Sequence, residues 1–417
     1  MNLNRARHRR VIRSAALIGT ALIGLAACGG GGGGTSGPTG SVSIALNTSL
    51  SGPFASFGQA NQNAIKLGVE QVNSAGGLNG KTINLQVKDD GTKADTGTEL
   101  VRSEILNDKV VALFGGVSSS VALAEQSLAG KYKVPFLVHT SNTDKLTVEK
   151  FNDYTFSLGP NTGMEGRANA IAAAKLPYTK YYLIGPDYEF GHSQIGAFKA
   201  KLKELKPDVQ FVGEDYPKLG ATDYGTYIGK IGAAKPEIVY SAEFGGDLVT
   251  FLSQGKGTIT GGSSKFMGLF DVDTLRILAA TAPTGAYAYG RAPYFAIKGD
   301  RMDKFVKAYQ DRYNVAPSDW AVMAYDAFEL WVQGVKKAGN FDGTKVSQVL
   351  SGVTFESVRG TLTVRALDHQ VDCPEYEGTL SNDAKLGFET IGDATPVPGK
   401  SILLTEDKVK AARAAAG

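Results

Sequence analysis

Cysteine is nearly absent from this chain of 417 residues: only Cys28 and Cys373 occur. Histidine is as scarce, with four residues, one of them within the first ten positions. Zinc sites draw about four Cys, His or carboxylate ligands at set spacings, and His369 with Cys373 has no matching pair elsewhere, so neither a metal nor any other cofactor is expected. Cys373 reads as a small buried residue. Beyond the N-terminal segment no run approaches the roughly 20 apolar residues that a membrane-spanning helix needs. The chain also lacks a Gly-x-Ser-x-Gly elbow, a His-Glu-x-x-His helix, a phosphate-binding Gly-x-x-x-x-Gly-Lys loop and a dinucleotide fingerprint. Asp89 and Asp90 are adjacent at a strand end, where successive side chains point to opposite faces. His192 beside Glu189 reads as a helix-start residue rather than a base. No nucleophile with a partnering base emerges, and the reading is that of a protein that is not an enzyme.

What is present begins with export grammar. Arg5, Arg7, Arg9, Arg10 and Arg13 precede an apolar segment that runs to Ala27, too short to span a bilayer. Leu25, Ala26, Ala27 and Cys28 resemble the lipobox of bacterial lipoproteins, which implies a signal peptide over residues 1–27 and a lipidated Cys28 as the anchor to a membrane. Acyl chains contribute about 0.8 kcal/mol per buried methylene, and stable anchoring takes more than one chain. Gly29 to Gly34 then open a flexible tether over residues 28–40. With the leader and its five arginines removed, Lys+Arg falls from 44 to 39 against 41 acidic residues. The basic balance therefore belongs to the leader, and no nucleic-acid partner is expected. Once Cys28 is modified no intrachain disulfide is possible, so stability rests on core packing.

The remaining chain is long enough for two or three domains with proper cores, and it alternates. "SVSIALN" and "KTINLQVKD" have strand composition, and between them "NQNAIKLGVEQVNSAGG" spaces Ile65, Val69 and Val72 as one helical face. The same grammar continues through "DTGTELVRSEILNDK", "VVALFGG", a helix over 119–130 and "VPFLVHT". It restarts near Met164 with "KYYLIGP", "SQIGAFKAKLKEL", "VQFVGEDYP", "EIVYSAE" and "SKFMGLF". Short apolar strands between helices predict parallel sheets covered on both faces. The fold class is α/β, with two doubly wound lobes, because one sheet of so many strands would be unusually wide.

From Ser41 to about Gly387 the chain resembles the type I periplasmic solute-binding proteins of the branched-chain amino acid binding family. The resemblance rests on "SLSGPFASFGQANQNAIKLGVEQVNSAGGLNGKTINLQVKDD", on "LFGGVSSSVALAEQSLAGKYKVPFLVHTSNTDKLT" and on the "DY...I.KI.AAKPEIVY" run from Asp223. It implies two lobes, a hinged cleft between them and closure on a small ligand. Crossings are expected near Pro160, Ala286 and Val358. Lobe one would then hold 41–160 and 287–358, and lobe two 161–286 and 359–417, with Arg359 and Gly360 starting the return. The ligand would be an amino acid or an aromatic or aliphatic acid. The partners implied are ABC permease subunits, and the family habit implies a monomer held at the periplasmic or cell-surface side of a bacterial membrane.

Site residues follow from strand ends and from the resemblance together. After "VVALF" the loop "GGVSSS" places Ser118 and Ser119 where a helix begins, a position that favours an anion. After "VPFLV" come Thr140, Ser141 and Asn142. By local sequence these are helix caps; by resemblance they hold a ligand carboxylate. Phe57 falls at the expected cleft mouth, and Tyr188, Phe190, Glu243 and Phe244 lie on lobe-two loops, as an opposing wall or as lobe core. Relatives that bind α-amino acids present an acid to the ammonium from lobe two. Here that acid is Asp271 shifted by one place, Glu243, or absent. A ligand-sensing subunit of a signalling system and an exported hydrolase on the same scaffold are the other readings.

Overall fold

The computed structural model describes residues 38–416; the expected signal peptide, Cys28 and most of the tether lie outside the described residues. The first lobe opens with β1 (Ser41–Thr48), α1 (Ala55–Ser74), β2 (Thr82–Asp89), α2 (Ala94–Leu106), β3 (Leu113–Gly115), α3 (Ser119–Tyr132), β4 (Phe136–Val138) and β5 (Thr155–Ser157). The second contains α4 (Thr162–Ala174), β6 (Lys180–Ile184), α5 (Glu189–Leu205), β7 (Gln210–Asp215), α6 (Gly225–Ala234), β8 (Ile238–Ser241), α7 (Gly245–Gln254), β9 (Lys265–Leu269), α8 (Val272–Leu278) and β10 (Tyr287–Gly290). Next come α9 (Asp300–Tyr313), α10 (Asp319–Ala338) and α11 (Gly343–Leu350). The chain closes with β11 (Thr354–Ser357), β12 (Gly360–Val364), β13 (Val371–Asp372), β14 (Glu375–Asp383), β15 (Phe388–Val397), α12 (Gly399–Ile402) and α13 (Glu406–Ala416).

The first sheet is parallel throughout, in the order β2-β1-β3-β4-β5. The second repeats that order as β7-β6-β8-β9-β10 and adds β14 and β15 antiparallel at its edge. Strands such as β4 and β8 are buried along their whole length, as expected of parallel strands with helices on both faces. The α/β, two-lobed reading of the sequence is borne out. The expectation did not include β5, whose three residues carry too little pattern to stand out from the loop around them.

The lobe boundaries differ from those expected. Residues 287–290 pair with β9 and β14 and belong to the second sheet, so the chain leaves it after Gly290 rather than near Ala286. Arg359 does not begin a return to lobe two. It sits in the tight turn between β11 and β12, where Ser357 pairs with Gly360, and β11-β12-β13 form a separate antiparallel sheet. That sheet stays with the first lobe: Gln370 bridges Ser157, and the His369 ring stacks on Phe156 at 4.4 Å. Passage to the second sheet therefore falls between Asp372 and Glu375. After α12 the chain goes back again, since Arg413 of α13 donates to the carbonyls of Thr147, Val148 and Leu367. Long-range packing decides each of these points, and strand composition alone does not carry it.

Candidate ligand-binding site

In open α/β sheets ligands bind beyond the carboxyl ends of the strands, where strand order reverses. Both sheets reverse at equivalent places, between β1 and β3 and between β6 and β8, and the loops that follow these strands face one cavity. It contains roughly 280 Å³ of empty space and is lined by Phe54, Phe57, Val117, Ser119, Thr140, Asn142, Tyr188, Phe190, Phe244, Leu269, Arg291 and Trp320. Residues of both lobes meet across it. Phe54 and Phe57 lie against Phe244 with ring centroids 5.4 and 6.0 Å away, and Phe57 also packs on Trp320 of its own lobe at 4.3 Å.

The loop after β3 has its shape because of glycine. Gly115 has φ +145°, and a Cβ there would lie 2.0 Å from the Asn47 carbonyl oxygen; at Gly116 (φ +68°) it would meet Ala122. The chain thus turns sharply against β1 and presents the start of α3 to the cavity. No side chain caps α3, and its first backbone bond is Ala122 N–H to the Ser118 carbonyl. The same holds in lobe two: α5 and α7 start at Tyr188 and Phe244, neither of which caps its helix. Three helix N-termini without side-chain caps therefore carry cavity-lining residues. A helix N-terminus carries about half a positive charge; Glu189 and Asp247 offset part of it in the first turns of α5 and α7, whereas the first turn of α3 has no acidic residue, so the start of α3 is the end that favours an anion. By contrast Asn161 caps α4 and Asp271 caps α8.

Arg291, immediately after β10, brings a guanidinium to the cavity wall, its charge paired with Glu165. It is nearly buried and forks onto Glu165 of α4, Nε to Oε1 at 2.5 Å and Nη2 to Oε2 at 3.2 Å, while Nη1 donates to the Thr140 carbonyl at 2.9 Å. Glu165 also accepts from Asn142 Nδ2 at 2.6 Å. This buried pair of the second lobe thus fixes Thr140 and Asn142, the two cavity-lining residues of the loop after β4. Burial opposes the Arg291 cation, but the Glu165 carboxylate outweighs it and keeps the guanidinium charged. The guanidinium also lies over Trp320 at 5.0 Å and Phe190 at 5.8 Å.

Of the residues singled out from sequence, Phe57, Ser119, Thr140, Asn142, Tyr188, Phe190 and Phe244 line the cavity. Thr140 donates to Asn61 and shares a bond with His139, whose imidazole burial holds down to about 3 and so neutral. Ser118, Ser141, Glu243 and Asp271 do not line it. Ser118 sits one place too early, at the N-cap position of α3. The Ser141 hydroxyl is buried without a partner. Asp271 accepts from the N–H groups of Asp273 and Thr274, from Thr274 Oγ1 and from Trp320 Nε1. Glu243 turns to Tyr224 at 3.2 Å, and burial with Asp247 nearby raises its carboxyl to about 8. Phe54, Arg291, Glu165 and Trp320 were not anticipated. Phe54 and Arg291 stand within stretches whose pattern is visible, "SGPFASFG" and "GAYAYGRAPYF", but only the assembled lobes bring them together. Among the described residues no group of three His, Cys, Asp or Glu side chains is placed to hold a metal ion. His369 and Cys373 occupy separate packed positions, and burial pushes the Cys373 thiol up to about 12.

Two doubly wound lobes that direct strand ends and helix N-termini at one shared, aromatic-walled cavity define a two-lobed solute-binding protein. The family model described as Periplasmic binding protein matches residues 41–384, and the chain belongs to that family. It is 22% identical over 340 residues to the leucine-, isoleucine-, valine-, threonine- and alanine-binding protein of Pseudomonas aeruginosa, covering 81% of this chain and 89% of that one. Its fold matches the amino acid ABC transporter substrate-binding protein of Pseudomonas fluorescens Pf-5 with a TM-score of 0.81 at 22% identity, over 91% of this chain and 99% of that one. It also matches an ABC transporter solute-binding protein of R. palustris in complex with benzoate, with a TM-score of 0.76 at 22% identity, over 86% and 97% of the two chains.

Proposed function

We propose that this chain is the extracytoplasmic solute-binding component of an ABC importer, and that it captures a small carboxylate-bearing solute by closing its two lobes. The observation that carries this reading is the convergence of three helix N-termini without side-chain caps and Arg291 on one cavity walled from both lobes. Relatives named for amino acids and for benzoate share the carboxylate. The ligand carboxylate sits against the start of α3 at Ser119 and the Thr140–Asn142 loop, and its apolar body lies among the aromatic rings. Contacts made with both lobes at once favour the closed arrangement by the difference in affinity between the two states. ABC permease subunits receive the closed form, and lipidated Cys28 tethers the monomer to the membrane. The protein binds its solute without converting it.

A thermal-shift screen of the leader-free protein against carboxylates, amides and small sugars tests the reading. Ligand at 100-fold excess over Kd should add about 2.7 kcal/mol of stability. Replacing Ser119 and Thr140 together by alanine removes two hydroxyl groups of the cavity wall, each worth roughly 1.5–3 kcal/mol where it bonds an ionised partner. The expected outcome is at least a roughly 100-fold loss of affinity with cooperative unfolding retained. Unchanged affinity would remove the site from these loops, and appearance of a chemical product from the bound solute would favour the hydrolase reading.

A further inference from the structure

We infer that the cavity discriminates against α-amino acids and takes carboxylates that lack an α-ammonium group, with Arg291 as the residue that sets this preference. The inference rests on the reading that the solute binds in the inter-lobe cavity, and it narrows the class of solute.

An amino acid brings its ammonium within one carbon of its carboxylate, so a site that anchors the carboxylate at α3 needs an acceptor beside it. No carboxylate is among the residues that line the cavity. Of the acids close to it, Asp271, Glu165, Glu189 and Asp247 are engaged elsewhere, while Glu375, buried near Arg291 with neither carboxyl oxygen partnered, is not among the residues that line the cavity. Asp271 accepts four hydrogen bonds as the cap of α8 and as the partner of Trp320. Glu165 is held bidentate by Arg291 and accepts from Asn142. Glu243 accepts from Tyr224 and is not among the residues that line the cavity. In the first turns of α5 and α7, Glu189 pairs with Lys145 and Thr143, and Asp247 accepts from the Gly220 N–H.

Aromatic faces can replace an acid as partners for a cation, and this cavity has six aromatic residues. The arrangement closes that route too. The Arg291 guanidinium, itself paired with Glu165, already lies over Trp320 and Phe190, so a second cation would have to share ring faces that are taken. The helix N-termini add positive potential of the same sign. A carboxylate with an uncharged, flat or branched apolar body meets none of these penalties.

The test is a matched comparison by isothermal titration on the wild-type protein at neutral pH: 3-phenylpropanoate against phenylalanine, and 4-methylpentanoate against leucine. Each pair differs only by the α-ammonium. The expected result is tighter binding of the amine-free member of at least one pair, by roughly 30-fold or more, the loss expected when an ammonium is desolvated without an acceptor. Binding of phenylalanine or leucine as tight as or tighter than its analogue, and lost on Ser119→Ala with Thr140→Ala, would overturn this inference and leave the cavity assignment standing. Binding of none of the four would overturn both. The double variant Arg291→Met with Glu165→Gln removes the charge pair without leaving one partner uncompensated. The affinity ratio within the discriminating pair should fall at least about ten-fold, 1.4 kcal/mol, a readout that a purely structural role for Arg291 would not move. An unchanged ratio would overturn the assignment to Arg291.

Discussion

Individual side chains show how burial decides which charges serve the ligand. Arg291 and Glu165 are taken out of water together, and removing one partner of such a pair typically costs about 3–5 kcal/mol because the other is left uncompensated. Glu243 lies behind the cavity wall with no cation beside it. Its carboxyl is raised from 4.5 to about 8, first by burial and then by Asp247. An acid with a raised pKa in the folded state binds its proton more tightly there than in the unfolded chain. Its contribution is therefore present below about pH 4.5 and is lost as pH rises toward about 8. Thermal melts between pH 5 and 8 should show the wild-type protein losing stability with pH more steeply than Glu243→Gln, with the difference widening up to pH 8. Parallel slopes would mean that Glu243 is not the titrating group.

At the scale of elements, the site depends on where helices begin. The loop from β3 to α3 bends against β1 because Gly115 and Gly116 leave no Cβ in the way, and the bend brings Ser119 to the cavity. Gly115→Ala would place a methyl carbon 2.0 Å from the Asn47 carbonyl oxygen at φ +145°. It should destabilise the protein by about 3 kcal/mol or more and weaken ligand binding, as overpacking and backbone strain combine. Gly196→Ala in α5, where a Cβ meets nothing within 4 Å, should instead stabilise by roughly 0.5–1 kcal/mol. Equal melting temperatures for the two variants would contradict this account of the loop. The seam between α8 and α10 is a second element-level feature. Asp271 accepts from Trp320, and Asp319 accepts from the N–H groups of Val272 and Ala292, which ties the two lobes next to the cavity.

For the whole molecule, the chain passes between its sheets after β5, after β10 and after β13, and α13 goes back to the first lobe. The buried Arg359–Asp326 pair, with Arg359 Nη2 on the Leu158 carbonyl, fastens the small β11-β12-β13 sheet to the first of these passages. The cavity proposed for the solute lies at the junction of parts that are far apart in sequence. Attachment to a membrane is a separate matter, assigned here to Cys28. Cys28→Ala should move the protein from the membrane to the soluble fraction when cells are fractionated; retention at the membrane would refute lipid anchoring.

Periodicity by itself determined the alternation of strands and helices, because parallel strands buried on both faces read as short apolar runs and their covering helices keep a helical spacing. It also determined that polar loops follow β3 and β4, since Gly115–Gly116 and the Ser118–Ser119 and Thr140–Asn142 runs interrupt the apolar pattern. The resemblance, residue by residue, pointed to the aromatic wall. Only the tertiary structure decided that Ser119 rather than Ser118 reaches the cavity, that β10 belongs to the second sheet, and that Asp271 and Glu243 do not line the cavity. Hydrogen bonds and ion pairs between residues distant in sequence set those outcomes: Arg291 meets Glu165 within the second lobe, and reaches Thr140 only when both lobes are in place. A capping aspartate and an ammonium-binding one look alike in sequence, and what separates them is which donors the fold brings to the carboxylate.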